Sequence, residues 1–235
     1  MPRDIKTLIV VPENNTTMAP EISALCPSLA PIPVARVKRP ARTLLLEDLP
    51  AYAEATLDAI EPFADRQFDL VIYGCTAAGF LGGPEGNARM VERLRERTGA
   101  TVISTAGAMI DALHSAGVSE TAVVTPYLTP VNGGLRRYLE SSGVSVEVLN
   151  SFFCKTTAEL GAITQEQVLE LALKTVTSRS KSLFVACSQL PTINVVAQLR
   201  ARLGIPVWSS IQATAWVGAK ALTAQGLKVE FKAAA

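Results

Sequence analysis

The chain has 235 residues, 49% apolar and 18% charged, with a formal net charge of +1. That balance suits a globular protein with a sizeable core, and it excludes a disordered chain or a nucleic-acid binder built on a basic face. No stretch approaches the roughly 20 continuous apolar residues of a membrane span, and the first residues lack a signal peptide's apolar segment, so a cytoplasmic location is expected.

Short apolar runs alternate with helical patterns from end to end, the signature of parallel βα units. Strands are predicted at 7–11, 32–37, 70–75, 101–104, 121–125, 145–149, 182–187 and 206–209. Helical periodicity is clearest at 51–64, 87–97, 106–115, 134–141, 165–178, 193–203 and 213–223. Gly99, Gly117, Gly143 and Gly204 follow the last periodic residues as helix stops. The second half, opening on Thr121-Ala122-Val123-Val124-Thr125-Pro126, repeats the first, opening on Thr7-Leu8-Ile9-Val10-Val11-Pro12. Eight units also describe a (β/α)₈ barrel, but the chain is short for one. The expected fold is therefore α/β: two pseudo-symmetric, doubly wound parallel-sheet domains, 1–116 and 117–208. Segment 209–235 is expected to pack back onto the first domain, with the active site in the cleft between the two.

The four cysteines, Cys26, Cys75, Cys154 and Cys187, contain no C-x-x-C pair. Neither a zinc site nor a redox dithiol is expected from that spacing, and the thiols should be free. The single histidine, His114, precedes the helix stop Gly117 and suits a helix C-terminus. The glycine-dense segment 79–86 has neither G-x-G-x-x-G nor G-K-[ST] spacing, so no nucleotide cofactor is expected. It reads as a flexible turn, or as a lid beside Cys75.

Cys75 and Cys187 close two predicted strands, at the carboxyl ends where parallel sheets bind ligands. Each is followed by a hydroxyl residue, Thr76 or Ser188, and by a helix start whose N–H groups favour a thiolate or an oxyanion. Cys26 and Cys154 lack that setting and read as packing residues. Three further loops converge on the same cleft. One holds Asn14, Asn15, Thr16 and Thr17, one holds Tyr127 stiffly between Pro126 and Pro130, and one holds Lys155, Thr156 and Thr157. The run 36–42 carries Arg36, Lys38, Arg39 and Arg42; it is either a solvated loop or a device that steers an anionic substrate.

Taken together, these segments resemble the aspartate/glutamate racemase superfamily, and within it the maleate cis–trans isomerase and arylmalonate decarboxylase branch. Val11-Pro12-Glu13-Asn14-Asn15-Thr16-Thr17-Met18 is similar to the N-terminal segment of maleate isomerases. Gly74-Cys75-Thr76-Ala77 and Ala186-Cys187-Ser188-Gln189 look like the two cysteine loops, and Tyr127 falls where the family has a substrate-binding tyrosine. The resemblance implies chemistry with neither metal nor cofactor. Cys75 would be nucleophile or base, and Cys187 would transfer a proton on the opposite face. Asn15, Thr16, Thr76, Ala77, Tyr127, Thr157 and Ser188 would bind a small carboxylic or dicarboxylic acid. Maleate isomerases carry an asparagine near the position of Thr157, and arylmalonate decarboxylases carry glycine at the first cysteine; this chain differs from both. An isomerase such as maleate isomerase is the leading expectation. A racemase of aspartate, glutamate or a related acid, a decarboxylase, and a non-catalytic small-acid binding protein stay open, as does a homo-oligomer.

Overall fold

The computed structural model describes residues 4–39, 42 and 44–232. In chain order the elements are β1 (Thr7–Pro12), α1 (Met18–Leu25), β2 (Val34–Val37), α2 (Leu49–Ile60), β3 (Leu70–Tyr73), α3 (Thr76–Leu81), α4 (Gly83–Thr98), β4 (Thr101–Ser104) and α5 (Thr105–Ser115). There follow β5 (Glu120–Thr125), α6 (Thr129–Ser141), β6 (Ser145–Ser151), α7 (Thr157–Gly161), α8 (Gln165–Thr175), β7 (Leu183–Val185), α9 (Val195–Leu203), β8 (Val207–Ser209) and α10 (Ser210–Ala224).

The strands form two four-stranded parallel sheets of matching order, β2-β1-β3-β4 and β6-β5-β7-β8. Helices cover both faces of each sheet, so the central strands read as unbroken apolar runs; every residue of β1 and β3 is buried. Helix α4 ends on basic residues Arg95 and Arg97 and then on Gly99 at φ 64°, a left-handed stop suited to glycine. His114 lies in the last turn of α5 and donates from Nε2 to the Ser142 carbonyl at 3.0 Å.

One apolar cluster crosses the junction between the halves. Ala77 and Phe80 of α3 join Val123, Tyr127, Leu135 and Phe184 of the second half. Helix α10 runs back to the first sheet, where Ile211, Ala215 and Leu222 pack with Ile9, Ile22, Leu70 and Ile72. Among the described residues no helix is long and apolar enough to cross a membrane.

The glycine-dense segment departs from expectation. It is neither a flexible turn nor a lid, but the end of α3 and the first turn of α4. A Cβ on Gly79 would stand 2.7 Å from the Ala106 Cβ, so glycine here lets α3 press against α5. The two cysteine strands also end earlier than predicted, at Tyr73 and Val185. Gly74 and Ala186 still donate to the carbonyls of Val10 and Val124, both at 2.8 Å, before the chain turns out of the ladder.

Candidate active site

The two thiols occupy equivalent places, each two residues beyond the third strand of its sheet. Cys75 caps α3, and Cys187 leads into the turn before α9. Both are buried, at 4% and 5% exposure. Gly74 brings the first loop close to the sheet, since a Cβ there would lie 2.6 Å from both the Met18 sulfur and a Val11 methyl.

Ser188 joins the loops. Its hydroxyl donates to the Gly74 carbonyl at 2.6 Å, and its N–H donates to Thr76 Oγ1 at 3.1 Å. Asn15 reaches the same residue: its Nδ2 donates to the Ser188 carbonyl at 3.1 Å and to Ser188 Oγ at 3.2 Å. The Asn15 Oδ1 accepts from the N–H groups of Thr17 and Met18, so this side chain also caps α1. Thr16 lies at the exposed rim, where its N–H donates to Gln189 Oε1 and its hydroxyl accepts from Gln189 Nε2. Four of the predicted residues (Asn15, Thr16, Thr76 and Ser188) thus form the polar seam between the halves.

Ala77, Tyr127 and Thr157 line a small cavity beside that seam, together with Arg39, Leu44, Pro126, Cys154, Thr156 and Leu160. Its volume is about 20 Å³, room for roughly one water. The Tyr127 ring stacks edge-on against Phe80 at 5.6 Å. Burial first, and Cys187 next, hold its phenol well above the ordinary range. Cys187 is likewise pushed up by burial, against the opposing pull of the Gln189 N–H (3.4 Å from Sγ) and of Tyr127, so a proton stays on its sulfur at neutral pH. A much wider depression of about 780 Å³, lined by Lys6, Ser28, Pro31, Asp65 and Phe68 among others, lies toward the amino ends of β1 and β3, away from both thiols. In parallel α/β folds the chemistry sits at the other end, where the thiols are.

Cys26 is a packing residue, its thiol pushed up to about 12 by burial. Cys154 is more than that, because it lines the cavity. Its N–H donates to the Pro126 carbonyl at 2.9 Å, and the chain reaches that position through Phe153 at φ 54°. Burial pushes the Cys154 thiol up to about 11, leaving it a neutral wall. The basic run divides by destination, with Pro40 and Ala41 outside the described residues. Arg36 donates to the carbonyls of Glu13 and Asn15, Arg42 pairs with Asp48, Lys38 is exposed, and Arg39 lines the cavity.

Several supporting residues carry no sequence signal. The Tyr127 backbone is held by Asn132 Nδ2 at 2.8 Å and Ser151 Oγ at 2.6 Å on its carbonyl, and by Thr125 Oγ1 on its N–H. Tyr52 of α2 is buried, and its hydroxyl has no hydrogen-bond partner among the described residues. Burial, and then the nearby Cys75, hold that phenol well above its ordinary range. Glu21 of α1 crosses to the other half, accepting from the N–H and hydroxyl of Thr192 at 2.8 and 3.1 Å.

Two matched parallel α/β halves, with a thiol after the third strand of each, form the architecture that the superfamily resemblance implies. The chain belongs to the arylmalonate decarboxylase family, whose model matches residues 10–232. It is 29% identical over 219 residues to the maleate isomerase of Nocardia farcinica, covering 88% of this chain and 86% of that protein. It is 26% identical over 234 residues to the maleate isomerase of Geobacillus stearothermophilus, covering 94% and 93%. The structure of the Nocardia farcinica maleate cis–trans isomerase superposes with a TM-score of 0.85 at 27% identity, over 93% of this chain and 92% of that one. A cysteine-to-serine mutant of that protein carries a covalently bound succinylcysteine intermediate.

Proposed function

We propose that the protein is a cofactor-independent cis–trans isomerase of a small unsaturated dicarboxylate, converting maleate to fumarate through a covalent cysteine adduct. The observation that carries this reading is the pair of buried thiols at equivalent strand ends, bridged by Ser188 and Gly74. Similarity to maleate isomerases along nearly the whole chain supports it, as does the succinylcysteine seen in one of them. We take the lobes as 1–116 and 117–208, with 209–235 returning to the first.

In the proposed reaction the Cys75 thiolate adds to one alkene carbon and forms a C–S bond. The π electrons move to the adjacent carbon, which takes the proton of the Cys187 thiol. The former double bond is now single and rotates. Cys187 thiolate then removes the proton, the C–S bond breaks as the trans double bond forms, and the Cys75 thiolate returns. Burial keeps Cys187 protonated, which suits the acid role. Asn15, Thr16, Thr76, Ala77, Tyr127, Thr157 and Ser188 would hold the carboxylates and the charge that develops beside the carbanion. One such preorganised donor is worth about 3 kcal/mol. A 20 Å³ cavity cannot hold maleate, so substrate entry requires the cavity to widen, for instance by parting of the isolated β-bridge between Arg42 and Thr156.

Proton NMR with maleate in D₂O tests the reading. The fumarate vinyl signal should appear with wild type and be lost in Cys75→Ala. Silence with maleate, together with α-proton exchange in L-aspartate or L-glutamate, would instead assign a racemase.

A further inference from the structure

We propose that Arg39 is a specificity-determining residue that binds the second carboxylate of the substrate, so that the site selects dicarboxylates over monocarboxylates of the same length. The proposal rests on the small-acid reading above and deepens it. Of the four cations in the run 36–42, only Arg39 lines the cavity that also contains Tyr127 and Thr157. The others are engaged elsewhere: Arg36 with the Glu13 and Asn15 carbonyls, Arg42 with Asp48, and Lys38 with solvent.

The guanidinium itself is incompletely satisfied. One terminal nitrogen donates to the Arg42 carbonyl at 2.8 Å, whereas the buried Nε has no hydrogen-bond partner among the described residues. Glu13 meets the Arg39 backbone N–H at 3.4 Å, and Asp48, which feels the Arg39 charge, accepts from the Arg42 guanidinium. Among the described residues no aspartate or glutamate lines the cavity. A buried, underpaired guanidinium donor facing a wall without carboxylates is relieved by an incoming anion. The planar fork of arginine suits a carboxylate in particular, which it can grip with two parallel N–H donors. Tyr127 and the seam around Ser188 lie toward the thiols, and Arg39 and Leu44 come from the loop after β2. A ligand between them would place one carboxylate at the thiol end and the other on Arg39.

Calorimetric binding of succinate and of butyrate tests this without turnover, because neither has a double bond to isomerise. The proteins are wild type, Arg39→Gln, Arg39→Lys and Lys38→Gln, each checked for native circular dichroism. Succinate should bind wild type and Lys38→Gln alike, weaken by about tenfold or more in Arg39→Gln, and be partly restored in Arg39→Lys. Butyrate affinity should not change across the set, and the salt dependence of succinate binding should fall in Arg39→Gln. Equal succinate affinity in wild type and Arg39→Gln would overturn the proposal, as would parallel weakening of butyrate or no succinate binding by wild type. If the succinate pattern holds while maleate is not converted, the isomerase reading fails and the role of Arg39 stands.

Discussion

The Ser188 hydroxyl donates to the Gly74 carbonyl at 2.6 Å, so the residue after one cysteine is bonded to the residue before the other. Asn15 and Thr76 converge on the same serine, which makes it the point where three loops from two halves are held in register. Ser188→Ala leaves the Gly74 carbonyl without that donor and removes one acceptor of Asn15 Nδ2, in a region with almost no solvent. A loss of about 1–3 kcal/mol in urea-denaturation stability is expected. The thiols proposed to react sit on the loops that loosen, so kcat/KM should fall by more than the stability loss alone accounts for. A variant with unchanged stability would show that the seam does not hold the loops.

The two thiols should respond differently to the same substitution. Cys187→Ser is expected to lower kcat by about 10²–10⁴-fold, the usual worth of a positioned acid–base group. It should also accumulate an adduct on Cys75, seen by intact mass and located by peptide mapping. Cys75→Ser should form no adduct. Burial holds the Cys187 proton above the ordinary thiol value of 9.0, and the proposed reaction uses its acid form. Activity should therefore persist with rising pH until that raised value is passed, and the alkaline limb should vanish in Cys187→Ser. An adduct located on Cys187 in the Cys75 variant would exchange the two roles.

The strand ends bearing the thiols were legible because β3 and β7 are apolar on both faces, so each run is unbroken until the chain turns. The doubling of the fold was legible for the same reason, since both halves open on the same strand-proline pattern. The helix start expected after Cys75 is α3, though its length was not legible, because five of its six residues are buried and no polar face marks a helical period. The helix start expected after Cys187 is absent, since the chain turns there and enters α9 only at Val195. Arg39 could not be told from Arg36, Lys38 or Arg42 by charge; its loop path alone takes it into the cavity. Cys154 read as a packing thiol because its exposure to the cavity depends on the left-handed turn at Phe153. Glu21 and Thr192 are 171 residues apart, and no local spacing records their pairing.

Tyr52 carries a cost that packing does not explain. Its hydroxyl is buried without a partner among the described residues, in the neighbourhood of Cys75. In Tyr52→Phe the ring still fills its place and the orphan hydroxyl is gone. Stability should rise by about 1 kcal/mol, as expected on removing an unsatisfied polar group. Turnover should move the other way, falling about tenfold or more, the size of a hydrogen bond to a charged sulfur. Urea midpoints and kcat measured on the same preparations give both signs. A variant that is less stable and fully active would assign the hydroxyl to packing.

Glu21 gives the fold a pH dependence of unusual sign. Its carboxylate accepts two bonds from Thr192, but burial outweighs them and raises its pKa above the ordinary 4.5. The native state therefore holds this proton more tightly than the unfolded chain does. Its stabilising contribution is complete below the ordinary carboxylate value and is lost as pH rises through the raised one, with a slope of at most about 1.4 kcal/mol per pH unit. Glu21→Gln keeps an oxygen to accept from the Thr192 N–H and does not titrate. Across that window the variant should gain stability relative to wild type as pH rises, and the difference should level off above it. Urea unfolding of both proteins at a series of pH values cancels the titration of the other carboxylates. A flat difference would mean that the two bonds to Thr192 cancel the effect of burial, and a difference of opposite slope that they outweigh it.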